Sequence, residues 1–592
     1  MMKYRFPMLI ILTAIFVLMP KSLIAEDNYS PYFDTDYPDN VFWGDTHLHS
    51  SLSIDAYWPI GSNNLGPDRA YKFAKGEAVQ AQNGMMVKRR RPLDFLVIAD
   101  HARNMGTLTA LYSQDTNLIG SSERMIELSR MLRRATQKIS TSSSVSTAWQ
   151  NPDFSTPGFE LWYGFSRASE EFQYSNWRKV TALADQYNEP GIFTAFIGYE
   201  WTPYPSFPVS SRKLIYDNDM GRLRDASKGL GMHRVVIFKD GADKASQVRP
   251  FSAFDSEVPE DLWEHLAGFE ERTGGDVLAI PHNGNLTQGT MFSIVDSDGN
   301  ELSKTYAATR SRWEPIFEVT QSKGDSETHP YLSPTDEFAD FETWDGWLQP
   351  SPNEFHRYEY ARSALKLGLG EVSRIGVNPF KFGMIGSTDN HLSLALAEEG
   401  NFFGKTAVNL PSPTRAVTKN GGWEFAATGY AAVWAKENTR QALFAAMKRK
   451  EVYASIGPRI TVRFFRGWDY QADDAFKPDL AKIGYDKGVP MGGDLTNAPI
   501  GEVPKFLIRA VKDPDGANLD RVQVIKGWHD ANGELHEKIY NVALSGGRKE
   551  NRNGKVKPVG STVDIPDASY TNSIGDTELA TVWQDPDFNK DE

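Results

Sequence analysis

Between about residue 41 and about residue 457, apolar runs of strand length alternate with stretches whose apolar positions recur at helical spacing. The strand-like runs fall at 41–46, 93–99, 193–199, 234–239, 277–281, 315–320 and 382–387. The helix-period segments fall at 107–136, 161–187, 259–273, 354–367 and 438–450. A strand, an amphipathic helix and a further strand make the βαβ rhythm, so this region predicts an α/β fold with a mainly parallel sheet or barrel. From about residue 458 the pattern becomes alternation without helix, in RITVRFF (459–465), KFLIRAVKD (505–513), DRVQVIKGWHD (520–530) and EKIYNVALS (537–545). The turn signals DPDG, DANG and SGG separate these runs, which predicts a small β-rich C-terminal domain over 458–592 after an α/β domain over 40–457. A Ser/Thr-rich stretch at 141–149 and the Pro-rich PYPSFPVSS at 203–211 read as surface insertions.

A chain of 592 residues is too long for one ordinary core, and 40% hydrophobic with 12% aromatic residues is a globular composition. A formal charge of −13 argues against a nucleic-acid partner, which needs a basic surface. Residues 1–25 carry export order: Lys3 and Arg5, then an apolar stretch from Met8 to Pro20, then the small-residue end Ser22–Ala25. The apolar stretch is short for a membrane span, so removal is expected, with no stable membrane insertion afterwards. The chain has no Cys, hence no disulfide and no lipid anchor on a cysteine, and suits an oxidising compartment. A periplasmic or secreted bacterial protein is expected.

The candidate chemistry lies where the strand-like runs stop. Five of the 11 histidines sit in VFWGDTHLHSSLSID (41–55), LDFLVIADH (93–101), VLAIPHNGN (277–285) and FGMIGSTDNH (382–391), with a lone acid in FTAFIGYEWT (193–202). Two residues apart at a strand end, His47 and His49 face the same side and can grip one cation. Asp55 follows in a Ser-rich turn, and Asp100 with His101 closes a Leu/Val/Ile run. Ionisable groups at the end of a buried strand need partners, because desolvating each costs roughly several kcal/mol. Glu200 can bridge two cations, His282 ends an apolar strand, and Asp389 with His391 repeats the two-residue spacing. Asp100 reads equally as a ligand, a supporting carboxylate or a helix cap. Such a mixed set suits two to three divalent transition metals, Zn, Mn or Fe.

Paired metals make a hydroxide near neutral pH and neutralise charge on a reacting ester, so the expectation is a metal-dependent hydrolase of a small-molecule ester. Asp100 and Arg103 are the candidates for direct catalytic roles, and Gln321 and Lys323, in FEVTQSKGDSE, for substrate contact. Hydrolysis of a non-phosphorus ester, an amide or a sulfate, and a binding module with structural metals, stay open as alternatives. Other chemistries lack their motifs: there is no G-x-S-x-G, H-E-x-x-H or G-x-x-x-x-G-K-[ST], and DSDGN at 296–300 has Ala307 where a calcium loop places its closing Glu.

In order, HLHSSLSID, ADH, GYE, PHN and STDNH resemble the motifs of the PHP (polymerase and histidinol phosphatase) superfamily of metal-dependent phosphoesterases. More closely, the chain resembles a large, mostly bacterial family known as a domain of unknown function related to PHP proteins, to which YASIGPRI (453–460) and GVPMGGDL (488–495) are also similar. The resemblance implies a distorted (β/α)7 barrel holding two or three divalent metals. It implies that His47 and His49 bind one metal with bridging Glu200 and Asp389, that Asp55, His101 and His391 bind another, and that His282 binds a third or the far side of the bridge. The chain departs from the pattern at two places. Many relatives have a His at the position of Asp55, and a further His between His282 and Asp389, where this chain has only His329 and His356, neither in a strand-end motif.

Overall fold

The computed structural model describes residues 36–57, 63–120, 123–140, 167–203, 214–217, 222–225, 231–344, 353–413, 415, 425–552 and 554–592. The export segment 1–25, the stretch 141–149 and the insertion 203–211 beyond its first residue lie outside the described residues.

Nine strands build the region around the candidate site: β1 (Asn40–Leu48), β2 (Phe95–Ile98), β3 (Thr194–Trp201), β4 (Arg234–Phe238), β5 (Val277–Pro281), β6 (Ile316–Gln321), β7 (Gly383–Gly386), β8 (Tyr430–Ala435) and β9 (Val452–Ser455). Seven of them form one curled sheet in the order β9-β8-β1-β2-β3-β4-β5, and β6 pairs in parallel with β7 in a separate sheet. The architecture is mixed α/β, with a curled half-barrel sheet and further β-sheets.

The expectation of a mainly parallel sheet is corrected here. Within the seven-stranded sheet only β1–β2 and β2–β3 are parallel; β3–β4, β4–β5, β1–β8 and β8–β9 are antiparallel. The reason lies in the connections. Phe238 at the end of β4 is paired with Val277 at the start of β5, so the intervening chain leaves and returns at the same end of the sheet. Its helix, Pro259–Thr273, packs Leu262, Trp263 and Phe269 against the outer face without crossing over. Period-3.6 patterning reports that helix but not the direction of the strand after it.

The period-2 alternation of the strands divides the core in two. Leu96, Ile98, Ile197, Tyr199 and Val236 face outward, where Tyr71, Trp177 and Trp263 of the surrounding helices cover them. Phe95, Val97, Phe196, Val235, Ile237, Leu278 and Ile280 face into the curl and share one buried cluster with Ile316 of β6 and Ile385 of β7. The helix Arg440–Arg449 joins that cluster with Leu443, Phe444 and Met447. Each such side chain contributes roughly 1.5–3 kcal/mol on burial. Gly198 in β3 marks a close approach, since a Cβ there would lie 2.5 Å from Val97 Cγ1 and 2.8 Å from the Val236 carbonyl.

After residue 458 come β10 (Thr461–Gly467), β11 (Gly488–Pro490), β12 (Lys505–Val511), β13 (Arg521–His529), β14 (Leu535–Leu544) and β15 (Glu578–Gln584). β11, β10, β12 and β15 form an antiparallel sheet in that order, and β13 and β14 form a hairpin. The hairpin leans on the helix Ala361–Ile375 through Lys366, whose Nζ is 2.9 Å from Glu537.

Candidate metal centre

The carboxyl ends of β1, β2, β3, β5, β6 and β7 and the amino end of β4 meet at one end of the curl. His47 lies near the end of β1 with His49 just beyond it; Asp100 and His101 follow β2; Glu200 lies in β3; His282 follows β5; Asp389 and His391 follow β7. A parallel bridge between Leu48 and Asn390 holds the chain after β7 against β1, and one between His101 and Glu200 holds the chain after β2 against β3. Asp389 adopts φ 47° and Asn283 φ 58°, left-handed backbone that Asp and Asn tolerate and that aims their segments at the same point.

The donor atoms are crowded. His47 Nε2 and His49 Nε2 stand 3.1 Å apart, and Glu200 Oε2 and Asp389 Oδ1 are each 3.3 Å from His49 Nε2 and 3.6 Å from His47 Nε2. On one side, His101 Nε2 lies 3.2 Å from Asp55 Oδ1, His391 Nδ1 3.5 Å from Asp55 Oδ2, and His391 Nε2 3.1 Å from Asp389 Oδ1. On the other, His233 Nδ1 and His282 Nε2 lie 2.8 and 3.1 Å from Glu200 Oε1, and Glu318 Oε2 lies 3.1 Å from His47 Nδ1. Among the described residues, five overlapping groups of three could each hold an ion: His47 with His282 and Glu318, His47 with His49 and Glu200, His49 with Asp55 and His101, His49 with Asp389 and His391, and Glu200 with His233 and His282.

The donor set fits divalent metals. Two imidazole nitrogens 3.1 Å apart with two carboxylate oxygens beside them present four lone-pair donors to a common point. His282 is fully buried, yet its Nδ1 has no hydrogen-bond partner among the described residues. A buried polar nitrogen left so is costly unless something else occupies its lone pair.

A layer of partners fixes the orientation of these ligands. Ser53 Oγ donates to Asp100 Oδ1 at 2.8 Å and accepts from His49 Nδ1 at 2.8 Å and from the His101 amide at 3.1 Å. That pattern uses the whole hydroxyl and puts the His49 proton on Nδ1, turning its Nε2 lone pair to the cluster. The other acceptor positions of Asp100 take the Ser50 amide at 2.7 Å and Ser50 Oγ at 2.6 Å. Asp45 accepts from the amides of His47 at 3.0 Å and Thr388 at 3.2 Å and from Thr388 Oγ1 at 2.5 Å, tying β1 to the chain after β7.

Electrostatics divides the cluster. For His101 burial opposes the charge, but Glu200 and Asp55 outweigh it and raise the ring to about 10. His47 is raised too, Glu318 and Glu200 prevailing over burial. Burial and neighbouring imidazoles hold His49 well below the ordinary value, and burial above all lowers His233 and His282 to about 4. Against their burial, Asp55 and Glu200 are held well below the carboxylate range by His391 and His101 and by His101 and His233 respectively. Burial lifts Asp45 to about 6. The metal-free cluster thus combines ionised carboxylates, neutral rings and a few protonated ones.

The structure brings together all eight residues read from the sequence as metal ligands: His47, His49, Asp55, His101, Glu200, His282, Asp389 and His391. Gln321 and Lys323 also reach the cluster: Gln321 Nε2 donates to Asp389 Oδ2 at 2.8 Å, and Lys323 Nζ bonds the same oxygen. The two residues read as catalytic do not stand among the donors. Asp100 is taken up by Ser50 and Ser53 and acts on the cluster only through Ser53, while the Arg103 guanidinium lies 4.5 Å from the centroid of the Phe254 ring.

Three residues of the site escaped the sequence. His233 immediately precedes β4, whose antiparallel course brings its amino end to the cluster, so a search of strand carboxyl ends passes over it. Glu318 lies inside the run IFEVT, and its period-2 register with inward-facing Ile316 was the available signal. Lys405 bonds the Asp389 carbonyl and has its Nζ 3.0 Å from Asp389 Oδ1; GKT in a loop carries no signal of this.

A family model described as "Protein of unknown function (DUF3604)" matches residues 36–227 and 224–592. Among solved structures, the chain is similar to a two-domain protein from Bacteroides vulgatus described as containing a predicted PHP-like metal-dependent phosphoesterase. The identity is 10%, with 93% of this chain and 97% of that one covered, and the TM-score is 0.29, a level that decides nothing about fold or chemistry. No curated protein matches.

Proposed function

We infer that this chain, which belongs to the DUF3604 family, is an exported metal-dependent hydrolase of small phosphate esters. The observation that carries this reading is the convergence of His47 Nε2, His49 Nε2, Glu200 Oε2 and Asp389 Oδ1 on one point, flanked by further His/Asp/Glu groups on both sides. In this reading the curled sheet and the β6–β7 pair act as one distorted (β/α)7 barrel of PHP type.

Two to three Zn, Mn or Fe ions held there would supply a hydroxide near neutral pH and charge neutralisation at the phosphoryl oxygens. His47, His49, Glu200 and Asp389 would hold one, Asp55, His101 and His391 a second, and His282 with His233 or Glu318 the remainder. Glu318 holds the proton of His47 Nδ1 and Ser53 accepts that of His49, so both rings keep their Nε2 lone pairs toward the cluster. The whole ligand set apart from half-buried Asp55 and His233 is buried, which excludes bulk water and strengthens every charge interaction at the site.

The test is hydrolysis of a phosphomonoester, a phosphodiester, a carboxyl ester and a sulfate ester by protein reconstituted with Mn, Zn or Fe. Phosphate-ester turnover that disappears in Asp389→Ala and in His47→Ala/His49→Ala supports the reading. Full activity in either variant, or turnover of the carboxyl or sulfate ester alone, ends it. Export is tested by N-terminal sequencing of the periplasmic fraction: a chain starting at or near Glu26 is expected, and an intact Met1 in cytoplasm contradicts it.

A further inference from the structure

Two lysines lie buried beside the cluster. Lys323 is 8% exposed and Lys405 2% exposed, and both reach the carboxylate of Asp389, Lys323 at Oδ2 and Lys405 at 3.0 Å from Oδ1. Two neighbouring amines sharing one carboxylate, itself a metal-ligand candidate, are a poor arrangement for stability, because each buried ammonium costs several kcal/mol unless separately paired. An incoming anion would give each amine a further partner.

The chain is built to deliver Lys405 there. Gly404 has φ 112°, and a Cβ on it would lie 2.5 Å from the Asn409 carbonyl, so only glycine makes the turn. The Lys405 carbonyl accepts from the His391 amide at 2.9 Å, and the Gly404 carbonyl accepts from Asn390 Nδ2 at 2.5 Å. Thr406 and Asn409 then close a capping box directly after the lysine. Residues 404–405 are thereby stitched to the segment carrying Asp389 and His391. Lys323 is fixed in the same way, its amide donating to Gln321 Oε1 at 2.6 Å and its carbonyl accepting from Asn285 Nδ2 at 3.0 Å.

Charge indicates the ligand. The cluster holds four carboxylates, Asp55, Glu200, Glu318 and Asp389, which two divalent cations balance. The two lysines then leave a surplus of about two positive charges with two ions and about four with three, either of which a dianion offsets better than a monoanion or a neutral ester does. We propose that Lys405 and Lys323 form an ammonium pair that binds the non-bridging oxygens of a dianionic phosphoryl group, making phosphomonoesters the preferred substrates. This rests on the phosphoesterase reading above. Lysine suits the task as a compact point charge toward phosphate.

The experiment uses the metal-loaded full chain and its Lys405→Met, Lys405→Arg and Lys323→Met variants, with p-nitrophenyl phosphate and bis(p-nitrophenyl) phosphate as substrates at pH 8, metal content measured throughout, and calorimetric titration with inorganic phosphate. The parent protein is expected to prefer the monoester. Lys405→Met should lose ~100-fold in kcat/KM on the monoester, the scale of losing one preorganised charge-stabilising donor, and only a few-fold on the diester. It should bind phosphate at least ~10-fold more weakly with metal content unchanged, and Lys405→Arg should recover part of both losses. Preference for the diester, equal losses on both esters, metal lost from Lys405→Met, or unchanged phosphate affinity overturns the proposal. A parent protein that binds metal yet cleaves neither ester brings down the phosphoesterase reading, and the phosphate titration then decides the lysine pair alone: binding that falls in both methionine variants upholds it, and no binding to the parent overturns it.

Discussion

Replacing Asp100 separates support of the metal ligands from the folding of the strand ends. Its carboxylate is 1% exposed and accepts from the Ser50 amide, Ser50 Oγ and Ser53 Oγ at 2.7, 2.6 and 2.8 Å. Its pKa is nevertheless raised, because burial outweighs all three bonds. Charge at this position is therefore a net burden on the folded state above the ordinary carboxylate pKa, and the burden grows as pH climbs through the folded value. Asp100→Asn removes the burden while its carbonyl oxygen still accepts from the Ser50 amide and Ser53, and Ser50 Oγ can rotate to accept from the new NH2. The metal-free protein should then change in stability by no more than ~1 kcal/mol. Asp100→Ala strands the Ser50 amide and frees both hydroxyls, at ~1–3 kcal/mol for each orphaned buried donor, so a loss of ~3–5 kcal/mol is expected. Ser53 also then loses the acceptor that sets its hydroxyl to receive the His49 Nδ1 proton, which should weaken metal binding ~10–100-fold in the Ala variant and only a few-fold in the Asn variant. Denaturant unfolding of the metal-free proteins and competition with a chromophoric chelator read the two quantities. An Asn variant as damaged as the Ala variant in both, or an Ala variant that binds metal like the parent, refutes the reasoning.

Glu318→Gln keeps the shape beside His47 Nδ1 but not the charge that raises this ring, and should weaken metal binding ~10–100-fold by the same chelator competition while also lowering the melting temperature of the metal-free protein. His101 contributes to stability of the metal-free protein through a raised pKa, a contribution complete below the ordinary 6.5 and lost as pH climbs through about 10. Melting curves should therefore show that contribution in metal-free protein and its absence in His101→Ala, and metal, which competes with the ring proton, should bind more tightly at pH 8 than at pH 6 with proton release on calorimetry; affinity independent of pH contradicts this. Chelation should lower the melting temperature, because metal binds the folded ligand set and not the unfolded chain, and readdition of metal should restore it. Gly198→Ala should cost ~1–3 kcal/mol in denaturant unfolding, since the new methyl meets both Val97 and the Val236 carbonyl; an unchanged midpoint would falsify the packing given for β3.

The sequence carried the strands and most ligands because both leave local signals. β5 was readable at Val277–Pro281, where an apolar run of strand length ends at a histidine, and the helix Pro259–Thr273 was readable from its period. Strand direction was not, since whether a connection crosses over depends on which ends meet, as Phe238 and Val277 do. The same blindness hid His233, which reaches the cluster only because β4 runs antiparallel. Glu318 was hidden differently: one acid in an apolar strand fits a core-edge ion pair as well as a ligand set until His47 Nδ1 is seen 3.1 Å away. For Asp100 the sequence left ligand, supporting carboxylate and helix cap side by side, because its bonds to Ser50 and Ser53 are contacts between separate elements. Lys405 depends wholly on the turn at Gly404 folding back against Asn390 and His391.

The most direct test of the account is elemental analysis of the protein purified without added chelator, alongside His47→Ala/His49→Ala prepared identically. About two to three transition-metal ions per parent chain, falling by at least one in a variant that still melts cooperatively, is the predicted result from the number and type of converging donors. Well under one ion per parent chain, with none taken up on adding Mn, Zn or Fe, contradicts the assignment of this cluster as a metal centre.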